Sequence, residues 1–362
     1  MKSYHALALF SGGLDSILAA KTVMAQGLDV LCLHFVSPFF GKPHNVDHWR
    51  AVYGLDIESV DISDAFVAML ANGPAHGLGK CLNPCVDCKI LMLRRAKAML
   101  ADYGARFLVT GEVIGQRPMS QRIDALNIIS RDAGVRDLLL RPLSAQKLPP
   151  TLVETDGLVD RQRLHHFGGR GRKDQLALAQ AFGVTEIPTP AGGCLLTEQP
   201  SAQRFFPLFT RLADPQPRDF ELANIGRQYW AGARWLAIGR NRSDNTRLEG
   251  LVVQDDLVFK VRDYPGPLGL ARRHAGAAWD ADAVADAAAF LASFNPKAVA
   301  AGGEVVVGVD GFAAATVRVL PTRQTRLAWC EPTWEELRSG KRERFTICGA
   351  ARENTRPRKD SL

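Results

Sequence analysis

The loop at residues 11–16 has the residue types that bind phosphate. It reads Ser11-Gly12-Gly13-Leu14-Asp15-Ser16, follows an apolar run at residues 6–10, and opens a helix-like segment at residues 17–24. A strand that breaks at paired glycines and re-enters as a helix presents backbone N–H groups and a positive helix end to an anion. The loop lacks the Gly-Lys-Ser/Thr ending of a Walker motif. We therefore predict a phosphate site of another kind, the alternative being an ordinary glycine turn before a helix.

A group of cysteines is the second set of residues that could do chemistry. The chain has seven cysteines, and three of them, Cys81, Cys85 and Cys88, fall within eight residues. Cys194 lies far along the chain. Disulfides are rare in cytoplasmic proteins, and we expect this chain to be cytoplasmic because its start does not read as a signal peptide. The spacing therefore indicates metal or sulfur chemistry.

Three motifs together resemble one known family. The SGGxDS form of the loop resembles the PP-loop ATP pyrophosphatases, which split ATP between the α and β phosphates, adenylate an oxygen and release pyrophosphate. The Cys85-x2-Cys88 pair with the distant Cys194 resembles the tRNA thiolation branch of that family, which includes the 4-thiouridine synthetases and 2-thiouridylases. Thr110-Gly-Glu-Val-Ile-Gly-Gln116 resembles the TGExxGQ segment of the 4-thiouridine synthetases. The resemblance covers about residues 6–200.

The resemblance implies an ATP-dependent sulfurtransferase that adenylates a uridine carbonyl oxygen of tRNA and replaces it with sulfur. It implies that Asp15, Cys88 and Cys194 are catalytic, with Asp15 orienting the loop or holding Mg²⁺. The implied ATP site consists of Ser11, Gly12, Gly13, Asp15, Ser16, Gly111, Glu112 and Gln116. For Gly111, Glu112 and Gln116 the alternative is an exposed loop with ordinary turn residues.

The source of the sulfur is also implied by the resemblance. We expect no THUMP-like region before the loop and no rhodanese domain after it to carry a persulfide. Members of the branch that lack a rhodanese domain and hold three such cysteines use an oxygen-sensitive iron–sulfur cluster, with one iron left open for sulfide. The implied ligands of a [4Fe–4S] cluster are Cys85, Cys88 and Cys194. Sulfide or a cysteine desulfurase would be the sulfur donor.

Two other interpretations of the cysteines stay open. Cys81 could complete a structural zinc site with Cys85, Cys88 and Cys194. The Cys81-x3-Cys85-x2-Cys88 spacing also matches radical SAM enzymes, but those enzymes place the triplet after the first barrel strand, where this chain has a nucleotide loop. Cys32, within an apolar run, is expected to be a small core residue.

The elements that must position these residues alternate along the first half of the chain. Apolar runs at residues 6–10, 30–35, 57–62, 106–110 and 138–140 predict short buried strands, with helical patterns between them. Such alternation predicts an α/β fold with a doubly wound, mostly parallel sheet, and the resemblance implies the adenine nucleotide alpha hydrolase-like version of it. The loop at residues 11–16 then lies at a strand end where such sheets bind ligands.

The length of the chain indicates how many domains it has, and its net charge indicates the kind of partner it binds. At 362 residues it exceeds the usual size of one domain. We predict a PP-loop domain at residues 1–200, a linker at 201–221, a second domain at 222–325 and a basic tail at 326–362. The net charge of +7 favours a polyanionic partner. No run approaches the ~18 apolar residues of a membrane span, so we expect no membrane partner.

The second domain is predicted to be a smaller α+β domain that binds RNA. Strand patterns lie at residues 235–239, 250–253, 257–261, 303–308 and 315–320, and a helix pattern at 280–294. Gly239-Arg240-Asn241-x3-Asn245 and Arg262-x2-Pro265-Gly266 resemble segments of NFACT-type RNA-binding domains. Basic residues around Trp235 and Tyr264 would contact phosphates, and the two rings would stack on bases. The basic residues are Arg240, Arg242, Arg247, Lys260, Arg262, Arg272 and Arg273. Among the residues of this domain we select Arg240, Asn241, Lys260 and Arg262 as the candidate RNA contacts.

A further basic group, Arg170, Arg172 and Lys173, begins a predicted helix at residues 174–182. Positive charge at a helix start opposes the helix dipole and indicates an anionic ligand, which we take to be RNA backbone near the catalytic cleft.

Two alternatives to a tRNA thiolation enzyme stay open. One is another PP-loop enzyme, an amide-forming ligase or a small-molecule sulfur transferase, and the other is a non-catalytic RNA-binding protein. The oligomeric state is not determined by the sequence.

Overall fold

The computed structural model describes residues 2–189 and 193–353. The chain divides into two compact units, Met1–Leu195 and Leu196–Leu362. Within the described residues no helix is both long and apolar enough to cross a membrane.

The first unit is a parallel sheet covered by helices. Its strands are β1 (Ala6–Leu9), β2 (Val30–Val36), β3 (Asp56–Asp61), β4 (Phe107–Thr110) and β5 (Leu139–Leu140). Its helices are α1 (Leu14–Met24), α2 (Val46–Tyr53), α3 (Ser63–Ala71), α4 (Cys85–Met99), α5 (Ile123–Asp132), α6 (Leu152–Thr155) and α7 (Lys173–Ala181). The strands pair in parallel in the order β3-β2-β1-β4-β5. The predicted α/β fold with a doubly wound, mostly parallel sheet is confirmed.

The centre of this sheet is where the predicted site must lie. Strand β1 is buried along its whole length, because helices cover both faces of the sheet. Its last residue, Leu9, pairs with Thr110, the last residue of β4. The loops that begin at Ser11 and Gly111 therefore leave the same edge of the sheet side by side. The strand order reverses between β1 and β4, which is the position where doubly wound sheets bind ligands.

The second unit is an antiparallel sheet with helices. Its strands are β6 (Arg227–Ala231), β7 (Arg234–Ile238), β8 (Leu257–Val261), β9 (Leu268–Arg272), β10 (Val305–Asp310) and β11 (Thr316–Val319), in the order β11-β10-β8-β9-β7-β6. Its helices are α8 (Gln199–Arg211), α9 (Pro217–Ala223), α10 (Arg242–Glu249), α11 (Ala281–Ala292), α12 (Pro296–Ala300) and α13 (Trp334–Glu353). Apolar side chains of α11 and of the sheet share one core. The predicted smaller α+β domain is confirmed.

Several predicted elements differ from the structure. Residues 201–221, predicted to be a linker, contain most of α8 and the start of α9, and Phe205, Phe209 and Phe220 are buried against each other. The strand predicted at residues 250–253 is a turn in which the Val253 N–H donates to Asp256. Residues 334–353 of the predicted basic tail form α13, and residues 354–362 of it lie outside the described residues.

Candidate functional site

The loop between β1 and α1 is held in shape by its own serines. The Ser16 hydroxyl donates to the Gly13 carbonyl at 2.7 Å and accepts from the Ser11 backbone N–H at 3.3 Å. Gly12 has a left-handed backbone (φ 76°), and a Cβ at this position would lie 2.5 Å from the Trp49 ring. Among the described residues, the N–H groups of Leu14 and Asp15 have no hydrogen-bond partner. These groups are available to an anion at the helix start.

The loop after β4 touches the nucleotide loop directly. A Cβ on Gly111 would lie 2.4 Å from the Asp15 carbonyl oxygen and 2.7 Å from the Ser16 nitrogen, so the two backbones approach as only glycine allows. Five residues further on, the Gln116 amide Nε2 donates to Asp15 Oδ2 at 3.0 Å. The structure thus brings together the predicted ATP-site residues of both loops.

We expect Gly111→Ala to lower the affinity for ATP at least tenfold. The added methyl group would have to displace backbone atoms of Asp15 and Ser16, and overpacking of this kind costs about 1–3 kcal/mol. Calorimetric titration with ATP checks this, together with the melting temperature. Gly303→Ala is the control, because nothing lies within 4 Å of a Cβ there. Unchanged ATP affinity in Gly111→Ala would mean that this close approach does not shape the site.

The Asp15 carboxylate is largely buried in this site. Burial raises the pKa of Asp15 above its ordinary value, while the hydrogen bond from Gln116 and the charges of Arg172 and Arg117 oppose that rise. Its Oδ1 is buried and has no hydrogen-bond partner at normal distance among the described residues. A carboxylate oxygen without a protein partner fits the oxygen ligands that Mg²⁺ prefers.

Glu112, predicted to line the ATP site, has its side chain in a buried ion pair. Arg141 Nε donates to Glu112 Oε2 at 2.9 Å, and the Thr110 hydroxyl donates to the same oxygen at 3.1 Å. Burial alone would raise the pKa of Glu112, but the charges of Arg141 and Lys89 hold it below its ordinary value. Lys89 Nζ lies 4.0 Å from the other carboxylate oxygen. Glu112 therefore anchors the loop to β5 and α4.

The three cysteines predicted to act together lie close to one another. Cys85 and Cys88 are the first and fourth residues of α4 and share one face of the helix. Burial raises the pKa of the Cys88 thiol, the Cys194 and Cys85 thiols raise it further, and Lys89 lowers it. Because Lys89 also approaches Glu112, the cysteine group adjoins the loop that touches Asp15.

The three cysteines of this group were predicted to bind either a [4Fe–4S] cluster or, together with Cys81, a zinc ion. Among the described residues, no cluster of three or more His, Cys, Asp or Glu side chains is tight enough to hold a single metal ion, and Cys81 is buried. An iron–sulfur cluster takes each thiolate on a different iron, so its ligands stand farther apart than those of one ion. Cys85 and Cys88 at the start of α4, with Cys194 near enough to act on the Cys88 thiol, fit that group.

Sequence reasoning missed several residues beside the site. Lys89 and Arg117 directly follow Cys88 and Gln116, and this adjacency was the signal that could have found them. Gln175 of α7 lies beside Asp15 and lowers its pKa. No sequence signal identifies Gln175, because the packing of α7 against α1 decides which face it presents.

The predicted RNA contacts of the second unit are partly engaged in local interactions. Arg240 Nε lies 2.7 Å from Asp244, and Lys260 Nζ lies 2.7 Å from Glu249. The Asn241 side chain caps α10 by accepting from the Asp244 N–H. Arg262 is exposed. The Lys260–Glu249 pair is exposed and such pairs are worth only about 0–1 kcal/mol, so Lys260 can exchange its carboxylate for a phosphate, whereas Arg240 is held by the buried carboxylate of Asp244.

Two residues expected to contact RNA are unavailable. Trp235 is 1% exposed and stacks on Trp230 with ring centroids 5.2 Å apart, so it is a core residue and not a stacking surface for bases. Arg272 is buried between Asp219 and Asp256, at 2.7 and 3.0 Å. The expectation that Trp235 and Arg272 contact RNA is therefore wrong, because they lie on β7 and β9, two buried strands inside the sheet.

The two segments that resemble the NFACT type meet in the second unit. Asn245 Nδ2 donates to the Gly266 carbonyl and its Oδ1 accepts from the Leu268 N–H, both at 3.1 Å. A cavity of about 200 Å³ opens beside them, lined by Asn245, Glu249, Lys260, Val261 and residues 264–268. Asn245 therefore holds the two segments together, and Lys260 and Tyr264 border the opening.

Comparison with known proteins adds to this picture. Residues 2–147 match the family described as thiamine biosynthesis protein (ThiI). A probable tRNA sulfurtransferase from Aeropyrum pernix is 29% identical over 230 residues, which is 60% of this chain and 50% of that protein. The tRNA-specific 2-thiouridylase MnmA from Nitratidesulfovibrio vulgaris is 34% identical over 122 residues, 29% of this chain and 34% of that protein.

A solved structure, the U34-tRNA thiolase NcsA from Methanococcus maripaludis with its [4Fe-4S] cluster, is 14% identical with a TM-score of 0.29, covering 53% of this chain and 61% of that one. The chain spans half or less of the length of the two curated relatives described above.

Proposed function

We propose, from the premise that residues 2–147 form a ThiI family domain, that this protein is an ATP-dependent tRNA sulfurtransferase that converts a uridine to a thiouridine. The observation that supports this most is the meeting of two kinds of chemistry at one sheet edge. Gly111 abuts the backbone of Asp15, and Lys89 links the next residue, Glu112, to Cys88. The loop at residues 11–16 and the cysteine group thus both adjoin the loop that follows β4.

The first step is activation of the uridine. A carbonyl oxygen is a poor leaving group, so it attacks the α phosphate of ATP, a new oxygen–phosphorus bond forms, and the bond to the β phosphate breaks. The open N–H groups of Leu14 and Asp15 stabilise charge on the phosphates. Asp15, whose Oδ1 has no hydrogen-bond partner at normal distance among the described residues, would hold the Mg²⁺ that accompanies ATP.

The second step replaces the adenylate with sulfur. Sulfur attacks the carbon that carries the adenylate, the carbon–oxygen bond breaks, and AMP leaves. A [4Fe–4S] cluster held by Cys85, Cys88 and Cys194 would supply an iron without a protein ligand, at which sulfide can be delivered. Burial raises the pKa of the Cys88 thiol, and the charge of the neighbouring Lys89 opposes that rise.

A pyrophosphate assay tests this function. We expect the protein, with ATP, Mg²⁺, sulfide and unmodified tRNA, to release AMP and pyrophosphate in equal amounts, and only when tRNA is present. Release with small molecules instead of tRNA would favour another PP-loop enzyme, and absence of any release would favour a binding protein.

The second unit is proposed to hold the tRNA. We expect the triple change of Arg240, Lys260 and Arg262 to Ala to weaken tRNA binding about tenfold or more and to reduce the slope of log K against log salt by roughly three, because each removes one phosphate contact. Filter binding across a salt series measures this. The triple change of Arg318, Arg326 and Arg338, also exposed cations of this unit, is the charge-matched control. Equal losses in both variants would show that general charge, and not this face, binds tRNA.

A further inference from the structure

An arginine outside the predicted site stands next to the nucleotide loop. Arg117 directly follows Gln116, whose amide donates to Asp15 Oδ2 at 3.0 Å. The Arg117 side chain is exposed, and its charge acts on the Asp15 carboxyl. The loop after β4 therefore carries a guanidinium group toward the start of α1.

A second arginine reaches the same carboxylate from another segment. Arg172 precedes α7, and the segment before it is fastened to the loop after β4, because the Gly169 N–H donates to the Ile114 carbonyl at 2.7 Å. Helix α7 packs against α1. Arg172 is half-buried, and its charge also acts on Asp15.

Neither guanidinium group has a hydrogen bond or an ion pair with any part of the chain that the structure describes. In the same unit, Arg141 and Arg161 pair with Glu112 and Glu154. Arg117 and Arg172 are therefore two cations near the loop at residues 11–16. Their guanidinium N–H groups have no hydrogen-bond acceptor among the described residues. Guanidinium groups match phosphate oxygens in pairs, so this arrangement fits a phosphate ligand.

Buried polar atoms also surround Asp15. Gln175 is 1% exposed, and its amide lowers the pKa of Asp15 as a hydrogen-bond donor, although no partner lies at normal distance from its Nε2 within the described ranges. Unpartnered buried polar atoms are rare in folded proteins, because burying a donor or acceptor without a partner destabilises the fold. The other atoms of this kind near the two loops are Asp15 Oδ1, Glu112 Oε1, Gln116 Oε1 and Gln121 Oε1.

We propose that Arg117 and Arg172 bind the β and γ phosphates of ATP and stabilise them as they leave as pyrophosphate. This inference rests on the proposed function of the same site, and it reassigns Arg172, which the sequence analysis gave to RNA backbone. The reason for ATP over RNA is position. Arg117 directly follows Gln116, which donates to Asp15 in the first turn of α1, and Arg172 directly precedes α7, which packs against α1.

Binding of inorganic pyrophosphate tests the proposal without relying on turnover. We expect Arg117→Gln and Arg172→Gln each to weaken pyrophosphate binding by about 10- to 100-fold, since a hydrogen bond to a charged group is lost. Binding of ATP should weaken similarly and binding of AMP should stay within threefold of wild type. Arg122→Gln, which removes an exposed arginine paired with Asp124, is the matched control and should bind pyrophosphate normally.

The outcomes separate this inference from the proposed function. Unchanged pyrophosphate affinity together with weakened tRNA binding would overturn the proposal and return Arg172 to the RNA. Equal weakening of AMP and pyrophosphate would also overturn it, because the arginines would then contact the α phosphate or shape the whole loop. If wild-type protein binds pyrophosphate and ATP but does not thiolate tRNA, the proposed function fails while the arginine assignment stands.

Discussion

Asp15→Asn is expected to lower tRNA-dependent pyrophosphate release by about a thousandfold, the size of effect seen when a preorganised charge-stabilising group is removed from an active site. The change keeps the shape of the side chain, and the amide can still pair with Gln116. What it removes is the negative charge at Oδ1, the position proposed for Mg²⁺.

The same variant is expected to fold at least as well as the wild type. Because burial raises the pKa of Asp15, the charged form is disfavoured in the folded protein. A raised folded pKa means that the charge destabilises the protein above that pKa and has no effect below the unfolded value near 4. Asp15→Asn should therefore melt higher than wild type at pH 7 in the absence of ATP, and the difference should vanish below about pH 4.

Asp64→Asn is the matched control, because Asp64 is also an acidic residue in the first turn of a helix in the same unit. It should leave both activity and melting temperature unchanged. If Asp15→Asn retains pyrophosphate release within tenfold of wild type, the assignment of the phosphate loop is wrong.

Removal of any one of Cys85, Cys88 and Cys194 is expected to abolish thiolation, with a loss of at least ~100-fold, since loss of a ligand exceeds the 10–100-fold effect of losing its supporting contacts. The variants should be purified without oxygen and analysed for iron, sulfide and zinc. We expect a [4Fe–4S] cluster in the wild type and loss of iron in each variant. Pyrophosphate release should persist, because adenylation precedes sulfur transfer.

Two controls decide the ligand set. Cys330→Ala changes an exposed thiol of the second unit and should retain iron and activity. Cys81→Ala should retain the cluster too, and loss of iron in that variant would make Cys81 a ligand. Stoichiometric zinc without iron in the wild type would contradict the cluster and favour a structural metal site.

The sheet of the first unit was predictable because its strands are short apolar runs separated by helical patterns. Cys32 lies in such a run and is buried, as expected. Residues 201–221 were predicted to be a linker, yet they hold most of α8 and the start of α9, where Pro217 stands at a helix start, a position that favours proline. Trp235 and Arg272 were misassigned because a sequence shows charge and aromaticity but not which strands lie in the middle of a sheet.

The candidate site was predictable in part. The motif at residues 11–16 determines a local shape, and the order of strands then places Gly111 beside it. Cys194 is far from Cys88 in sequence, so only the family resemblance indicated their proximity. Gln175 depends on how α7 packs against α1, which residue spacing does not encode, whereas Arg117 directly follows the predicted Gln116. The roles of these residues stay predictions.

The most direct test of the central claim is the thionucleoside profile of bulk tRNA, measured by mass spectrometry in a strain that lacks this protein. We predict that one thiouridine species disappears, that the wild-type gene restores it, and that the gene for Asp15→Asn does not. A profile identical to that of the parent strain would contradict the assignment of this protein to tRNA thiolation.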